Sequence, residues 1–260
     1  MLVDKSFPAE DYLFNSNFYQ TKPNQTKPQP KKICEICENL RETKNQPPKN
    51  PREKEFCESI YQNKLIFTPM NTKRIAIFAS GSGSNAIKLI EHFDKSPEIN
   101  AVLLLTNNEN AGVLEKTEEF IDQVVINNDG ANDGSFLAEL MQEERIDYII
   151  LAGYLRKIPS ELIKAYPTQI INIHPALLPK YGGKGMYGMK VHQAVLDNKE
   201  TESGITIHLV NDIYDEGKIL AQYKVELSPK DDADAIQKKV LAVEHKHFSE
   251  EVEKYIQEQG

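Results

Sequence analysis

The chain has 260 residues, 40% of them apolar, and a formal charge of −8. That length and apolar content suffice for one substantial core or two small domains, and the acidic balance argues against a nucleic-acid-binding surface. No apolar run approaches the about 18 residues that a bilayer span needs, so no membrane association is expected. The opening MLVDKSFPAEDYLF has an acid at position 4 and no apolar h-region, which makes the cytoplasm the expected location.

Composition shifts sharply along the chain. Residues 1–69 hold 8 of the 14 prolines, all three cysteines, and 11 basic against 9 acidic residues, leaving 20 basic and 30 acidic residues beyond them. The stretches TKPNQTKPQPKK (21–32) and KNQPPKNPREK (44–54) read as extended, solvated polypeptide. Residues 1–69 are therefore expected to form a largely disordered N-terminal extension before a folded domain over residues 70–260, with Met70 either the physiological start or the first residue after a dispensable leader. Cys34 and Cys37 form a C-x-x-C with Cys57 downstream. A structural zinc site wants a fourth ligand nearby, and the first histidine is His92, so the cysteines read as incidental to the arm.

From residue 74 apolar runs alternate with amphipathic segments, the pattern of an α/β sheet. Strands are expected at 74–79, 101–106, 123–126, 148–151 and 169–173, with helices at 84–93, 111–120 and 133–145 and a short one from Pro159. A glycine-rich loop then runs to Gly188, followed by a helix near 191–197. Strands at 204–210 and 219–225 are close enough to pair antiparallel, and a C-terminal helix is expected from about Asp231. The fold class is α/β, with an open, mostly parallel Rossmann-like sheet and an antiparallel C-terminal strand pair.

Ser80-Gly81-Ser82-Gly83-Ser84-Asn85 joins the first strand to the first helix. Such a turn aims backbone N–H groups and the positive end of the helix dipole at one point, which suits a phosphate, while Ser84 or Asn85 would also serve as a helix cap. Gly81, Gly83 and Ala86 satisfy G-x-G-x-x-A. A dinucleotide site, however, asks for an acid at the tip of the second strand, where this chain has Thr106-Asn107-Asn108. A monophosphate site survives that objection.

In Asn172-Ile173-His174-Pro175, strand alternation points Asn172 and His174 to the same side at the carboxyl end of a strand, the usual ligand crevice of an open sheet. An amide beside an imidazole can polarise a carbonyl and handle a proton. Asp212, Asp215 and Glu216 follow a later strand, where a turn can return a carboxylate to that crevice and raise the imidazole pKa. Against this stand a hydrogen-bonded structural histidine and a solvated acidic turn.

These segments together resemble the phosphoribosylglycinamide formyltransferases of purine biosynthesis. The resemblance runs from about Lys73 to about Ile256 and is most specific in INIHPALLPKYGG (171–183). SGSGSN, LAGYLRKI, ESGITIHLVNDIYDEGKILAQ and VEHKHF follow in the family's order. It implies Asn172, His174 and Asp215 as the catalytic group. Gly83, Ser84 and Asn85 would hold a substrate phosphate and Glu244 its sugar. Leu155, Arg156 and Ile158 would line a folate pocket, and Asn211, Asp212 and their neighbours to Asp215 a loop around the pterin.

The implied reaction carries a formyl group from 10-formyltetrahydrofolate to the amine of glycinamide ribonucleotide, without a metal, in a monomer or homodimer. Four features depart from the pattern. Ala176 replaces the usual Ser, the loop 181–189 is longer and richer in glycine, residues 127–135 lack the family's basic residue, and Ser249 stands where Pro is common. A methionyl-tRNA formyltransferase would need a basic RNA-facing surface and a further C-terminal domain, and a formyltetrahydrofolate deformylase an N-terminal regulatory domain. A non-enzymatic nucleotide-binding module of the same fold is the remaining alternative.

Overall fold

A computed structural model describes residues 72–259. The N-terminal extension with Cys34, Cys37 and Cys57, and Met70, for which expectations are given above, lie outside the described residues. From Lys73 the chain alternates as its hydropathy pattern predicts: β1 (Lys73–Phe78), α1 (Ser84–Phe93), β2 (Ile99–Thr106), α2 (Gly112–Thr117) and β3 (Asp122–Val125). It continues through α3 (Asn128–Asn132), α4 (Gly134–Glu143), β4 (Tyr148–Leu151), α5 (Ser160–Ala165) and β5 (Ile170–His174). Then come α6 (Met189–Asp197), β6 (Glu202–Leu209), β7 (Ile219–Glu226) and the long α7 (Ala233–Gln259).

The strands form one sheet in the order β3-β2-β1-β4-β5-β6-β7. β1 to β5 run parallel, and β6 pairs antiparallel with both β5 and β7. This is the expected doubly wound, mostly parallel sheet with an antiparallel end. Strand order reverses between β1 and β4, so the loops leaving their carboxyl ends diverge and open a crevice.

Alternation along β1 shows how the sheet is covered. Ile75 and Ile77 pack on one face with Leu89 and Phe93 of α1 and with Phe248 and Val252 of α7. Ala76 and Phe78 pack on the other face with Leu137 and Met141 of α4 and with Leu162 of α5. Each fully buried large side chain contributes about 1.5–3 kcal/mol, and burial on both faces explains why these strands read as unbroken apolar runs.

Several boundaries differ from expectation by a few residues, and one helix is additional. The helix expected from Asp133 is preceded by an additional one, α3, because two caps stand close together. Asn127 Oδ1 accepts from Gly130 N at 2.8 Å, and Asp133 Oδ1 accepts from Phe136 N at 3.0 Å with Asp133 itself extended. The helix expected over 111–120 stops at Thr117, and β2 begins at Ile99 rather than 101. Ser249 lies inside the unbroken run of α7.

Candidate active site

The turn between β1 and α1 is shaped by Gly83, whose φ of 76° is left-handed. A Cβ there would collide with Val113, so glycine is required both for conformation and for close approach. Gly83 itself is the N-cap residue and makes no side-chain capping bond. This corrects the expectation that Ser84 or Asn85 caps the helix. Asn85 instead donates from Nδ2 to Glu244 Oε2 of α7 at 2.7 Å. Burial pushes the Glu244 carboxyl above its usual range, and the Asn85 bond opposes that rise.

The two asparagines at the tip of β2 are spent on stitching loops together. Ser80 Oγ donates to Asn107 Oδ1 at 3.1 Å and accepts from Leu155 N at 3.1 Å, while Asn108 Nδ2 donates to the Ser80 carbonyl at 3.3 Å. The position that a dinucleotide-binding fold reserves for a ribose-binding acid is thus structural here.

A cavity of about 620 Å³ opens at the carboxyl edge of the sheet, within the size range of ligand sites. Its lining includes Gly83, Ser84, Asn85 and Glu244 together with Leu155, Arg156, Ile158 and Asn211. Asn172, His174 and Asp215 stand in its wall as well. Asp212 is exposed and forms no part of the wall. Leu155 and Ile213, 52% and 57% exposed, leave apolar surface at the mouth.

The pairing of β5 with β6 sets Asn172 opposite His208 and His174 opposite Thr206. His174 Nε2 donates to the Tyr181 carbonyl at 2.8 Å, which leaves Nδ1 facing Asp215 Oδ2 at 3.6 Å. His208 Nδ1 donates to the Leu209 carbonyl at 2.8 Å, so its Nε2 accepts from Asn172 Nδ2 at 3.0 Å. The same Nε2 lies 3.7 Å from Asp215 Oδ1. Asp215 therefore stands between two imidazoles, and its Oδ2 also accepts from Gly183 N at 2.8 Å.

His174 is 4% exposed and His208 2%. Burial lowers both imidazole pKa values. For His174, Asp215 and the Tyr181 carbonyl oppose that shift without overcoming it. For His208 the opposition comes from the Leu209 carbonyl and Asp215, while His174 lowers it further. A carboxylate neighbour was expected to raise the His174 pKa, but desolvation outweighs the attraction and the free site holds His174 neutral near pH 7.

Sequence reasoning missed three residues here. His208 orients Asn172. Thr206 Oγ1 donates to the Ala176 carbonyl at 2.7 Å and accepts from Leu178 N at 3.0 Å, pinning the His174-Pro175 turn. His192 of α6 lines the cavity, 3% exposed, with Nδ1 lacking a partner. The alternating polar positions of T-I-H in β6 were the available signal for the first two.

Fold and site together define a doubly wound α/β protein in which an amide, two imidazoles and a carboxylate share one cavity with the glycine turn at the strand-order reversal. The chain belongs to the formyl transferase family, whose model matches residues 73–252. It is 43% identical over 188 residues to a chloroplastic phosphoribosylglycinamide formyltransferase of Arabidopsis thaliana, an alignment covering 69% of this chain and 64% of that one. It is 32% identical over 183 residues to the phosphoribosylglycinamide formyltransferase of Bacillus subtilis, covering 68% of this chain and 91% of that one. The crystal structure of phosphoribosylglycinamide formyltransferase from Bacillus halodurans superposes with a TM-score of 0.65 at 30% identity, over 72% of this chain and 97% of that one. The chain thus spans slightly less than two thirds of the Arabidopsis relative's length.

Proposed function

We propose that this chain transfers the formyl group of 10-formyltetrahydrofolate to the amine of glycinamide ribonucleotide, a step of purine biosynthesis. The carrying observation is that Asp215 lies within 3.6 and 3.7 Å of two imidazoles, beside an amide oriented by one of them. The relatives' names supply the acceptor and the formyl group, and the folate donor follows from the family. Gly83, Ser84 and Asn85 take the ribonucleotide phosphate at the start of α1, and Glu244 the sugar. Leu155, Arg156, Ile158 and Asn211 take the folate.

The amine nitrogen attacks the formyl carbon, a C–N bond forms, and the bond from that carbon to N10 breaks. The amine loses one proton and N10 gains one, so the chain needs a group that takes a proton and returns it. His174 Nδ1, left over from the Tyr181 bond, accepts it. The resulting imidazolium is stabilised by Asp215 and, together with the second amide hydrogen of Asn172, stabilises the oxyanion of the tetrahedral intermediate. Holding both substrates in one cavity supplies the effective-molarity advantage.

The test is incubation of the full chain with 10-formyltetrahydrofolate carrying a labelled formyl group, with and without glycinamide ribonucleotide. Label in the ribonucleotide supports transfer. Label released as formate at the same rate without the ribonucleotide indicates deformylation instead, and no consumption with binding alone indicates a non-enzymatic module.

Residues 70–260 form the formyltransferase domain in this reading, acting as a monomer or homodimer on small molecules. Among the described residues no helix is long and apolar enough to cross a membrane. The cytoplasm is the proposed location, and the chloroplastic designation of the Arabidopsis relative makes an organelle the competing one. Imaging a fluorescent fusion of the full chain decides between them.

A further inference from the structure

The chain segment that follows β5 touches both members of the proposed acid–base pair. The Tyr181 carbonyl accepts from His174 Nε2 at 2.8 Å, and two residues on the Gly183 N–H donates to Asp215 Oδ2 at 2.8 Å. One three-residue turn thus spaces His174 Nδ1 from Asp215 Oδ2, which stand 3.6 Å apart.

A neutral imidazole carries one N–H, and two acceptors compete for it here. A carbonyl oxygen can only accept, so the Tyr181 bond requires the hydrogen on Nε2. The Asp215 carboxylate faces the other nitrogen and would draw the same hydrogen to Nδ1. At 3.6 Å, against 2.8 Å for the carbonyl, the carboxylate is beyond hydrogen-bond reach. Nδ1 keeps its lone pair only while the Tyr181 carbonyl holds its place.

Tyr181 has a φ of 58°, the left-handed region that a residue with a Cβ keeps only where its surroundings over-determine it. A side-chain anchor does so. The Tyr181 hydroxyl donates to Glu200 Oε1 at 2.8 Å, and Lys180 Nζ donates to the same oxygen at 2.9 Å. These two bonds hold the Glu200 carboxyl below its usual range, so it is an ionised, strong acceptor at neutral pH. Glu200 is itself fixed between α6 and β6, its backbone N–H donating to the Val195 carbonyl at 3.3 Å. The Tyr181 ring packs against the buried cluster that includes Val195 and Ile205. Neither Tyr181 nor Glu200 lines the cavity, so both act on it through the backbone.

We propose that Glu200 is a remote positioning residue: through the Tyr181 hydroxyl it latches the 181–183 turn and keeps the His174 hydrogen on Nε2, leaving Nδ1 as the base beside Asp215. The use made of Nδ1 rests on the formyl-transfer reading above, whereas the latch is observable without turnover.

The test is nitrogen-15 NMR of the His174 imidazole in the full chain at neutral pH, where a nitrogen bearing hydrogen and one bearing a lone pair resonate far apart. The His174 signals are assigned by their loss in His174→Gln. Tyr181→Phe, which keeps the packed ring, and Glu200→Ala should each move hydrogen from Nε2 to Nδ1. Both should lower kcat about tenfold with KM for each substrate within about threefold. Glu200→Gln keeps an acceptor for the hydroxyl and should restore most of the Nε2–H population. Tyr181→Phe combined with Glu200→Ala should lose little more than either alone. A hydrogen that stays wholly on Nε2 in folded Tyr181→Phe and Glu200→Ala overturns the latch, even if kcat falls. If the hydrogen moves in those variants while the unmodified chain transfers no formyl group, the reaction reading fails and the latch stands.

Discussion

Asp215 shares its carboxylate between His174 Nδ1 at 3.6 Å and His208 Nε2 at 3.7 Å, and thereby couples two histidines that sit on different strands. The Gly183 N–H at 2.8 Å holds one of its oxygens in place. Asp215→Asn keeps an oxygen for that bond but removes the charge that stabilises an imidazolium. The expected result is a fall in kcat of about 10²–10⁴ with little change in thermal stability, the range for loss of acid–base assistance. Steady-state kinetics and a melting curve on the same sample check both halves.

In the proposed mechanism His208 acts through Asn172, because its Nε2 accepts the amide hydrogen that sets the orientation of that side chain. His208→Ala should lower kcat more than it raises either KM, and His208→Asn should recover part of the loss. In a double-mutant cycle with Asn172→Ala the two effects should be strongly non-additive, as for groups acting as one unit. Additive losses would show that the two residues act independently.

Much of this arrangement was legible in the sequence. Strands buried on both faces appear as apolar runs, the glycine turn follows β1, and Asn172 and His174 share a side by alternation alone. His208 was not legible as a partner, since its role depends on the antiparallel register that sets it opposite Asn172, a pairing between residues 36 positions apart. Arg156 was expected at the folate end of the cavity, but its bonds to Asn128 and Asn132 depend on α3, a helix created by two closely spaced caps that a single hydrophobic period does not reveal. The sign of the His174 shift was missed for a related reason. Proximity to Asp215 was inferred from the chain, whereas the depth of burial is a property of the folded whole.

Stability should fall on acidification. His174, His192 and His208 all have pKa values pushed below the usual 6.5, principally by burial. Between 6.5 and those lowered values the unfolded chain binds more protons than the folded one, so stability is complete above 6.5 and declines as pH drops through that window. Melting temperatures from pH 7.5 down to 5.5 should decrease, and His208→Gln should flatten the slope. A melting temperature that rises on acidification over this range would contradict the assignment.

Gly217 lies in the β6–β7 loop that carries Asp215, and a Cβ on it would collide with the Leu209 carbonyl. Gly217→Ala should therefore displace that loop, costing roughly 1–3 kcal/mol of stability and reducing kcat through misplacement of Asp215. Gly83→Ala should raise KM for the ribonucleotide more than for the folate, because the change is confined to the turn at the start of α1. Denaturant titration and KM for each substrate separate the two effects.

The most direct measurement is the rate of labelled formyl transfer by His174→Ala compared with the unmodified chain, alongside equilibrium binding of each substrate to both. If His174 carries the proton between amine and N10, kcat should fall by about a thousandfold while both dissociation constants stay within about threefold. A His174→Ala variant that formylates glycinamide ribonucleotide at the normal rate would contradict the proposed chemistry.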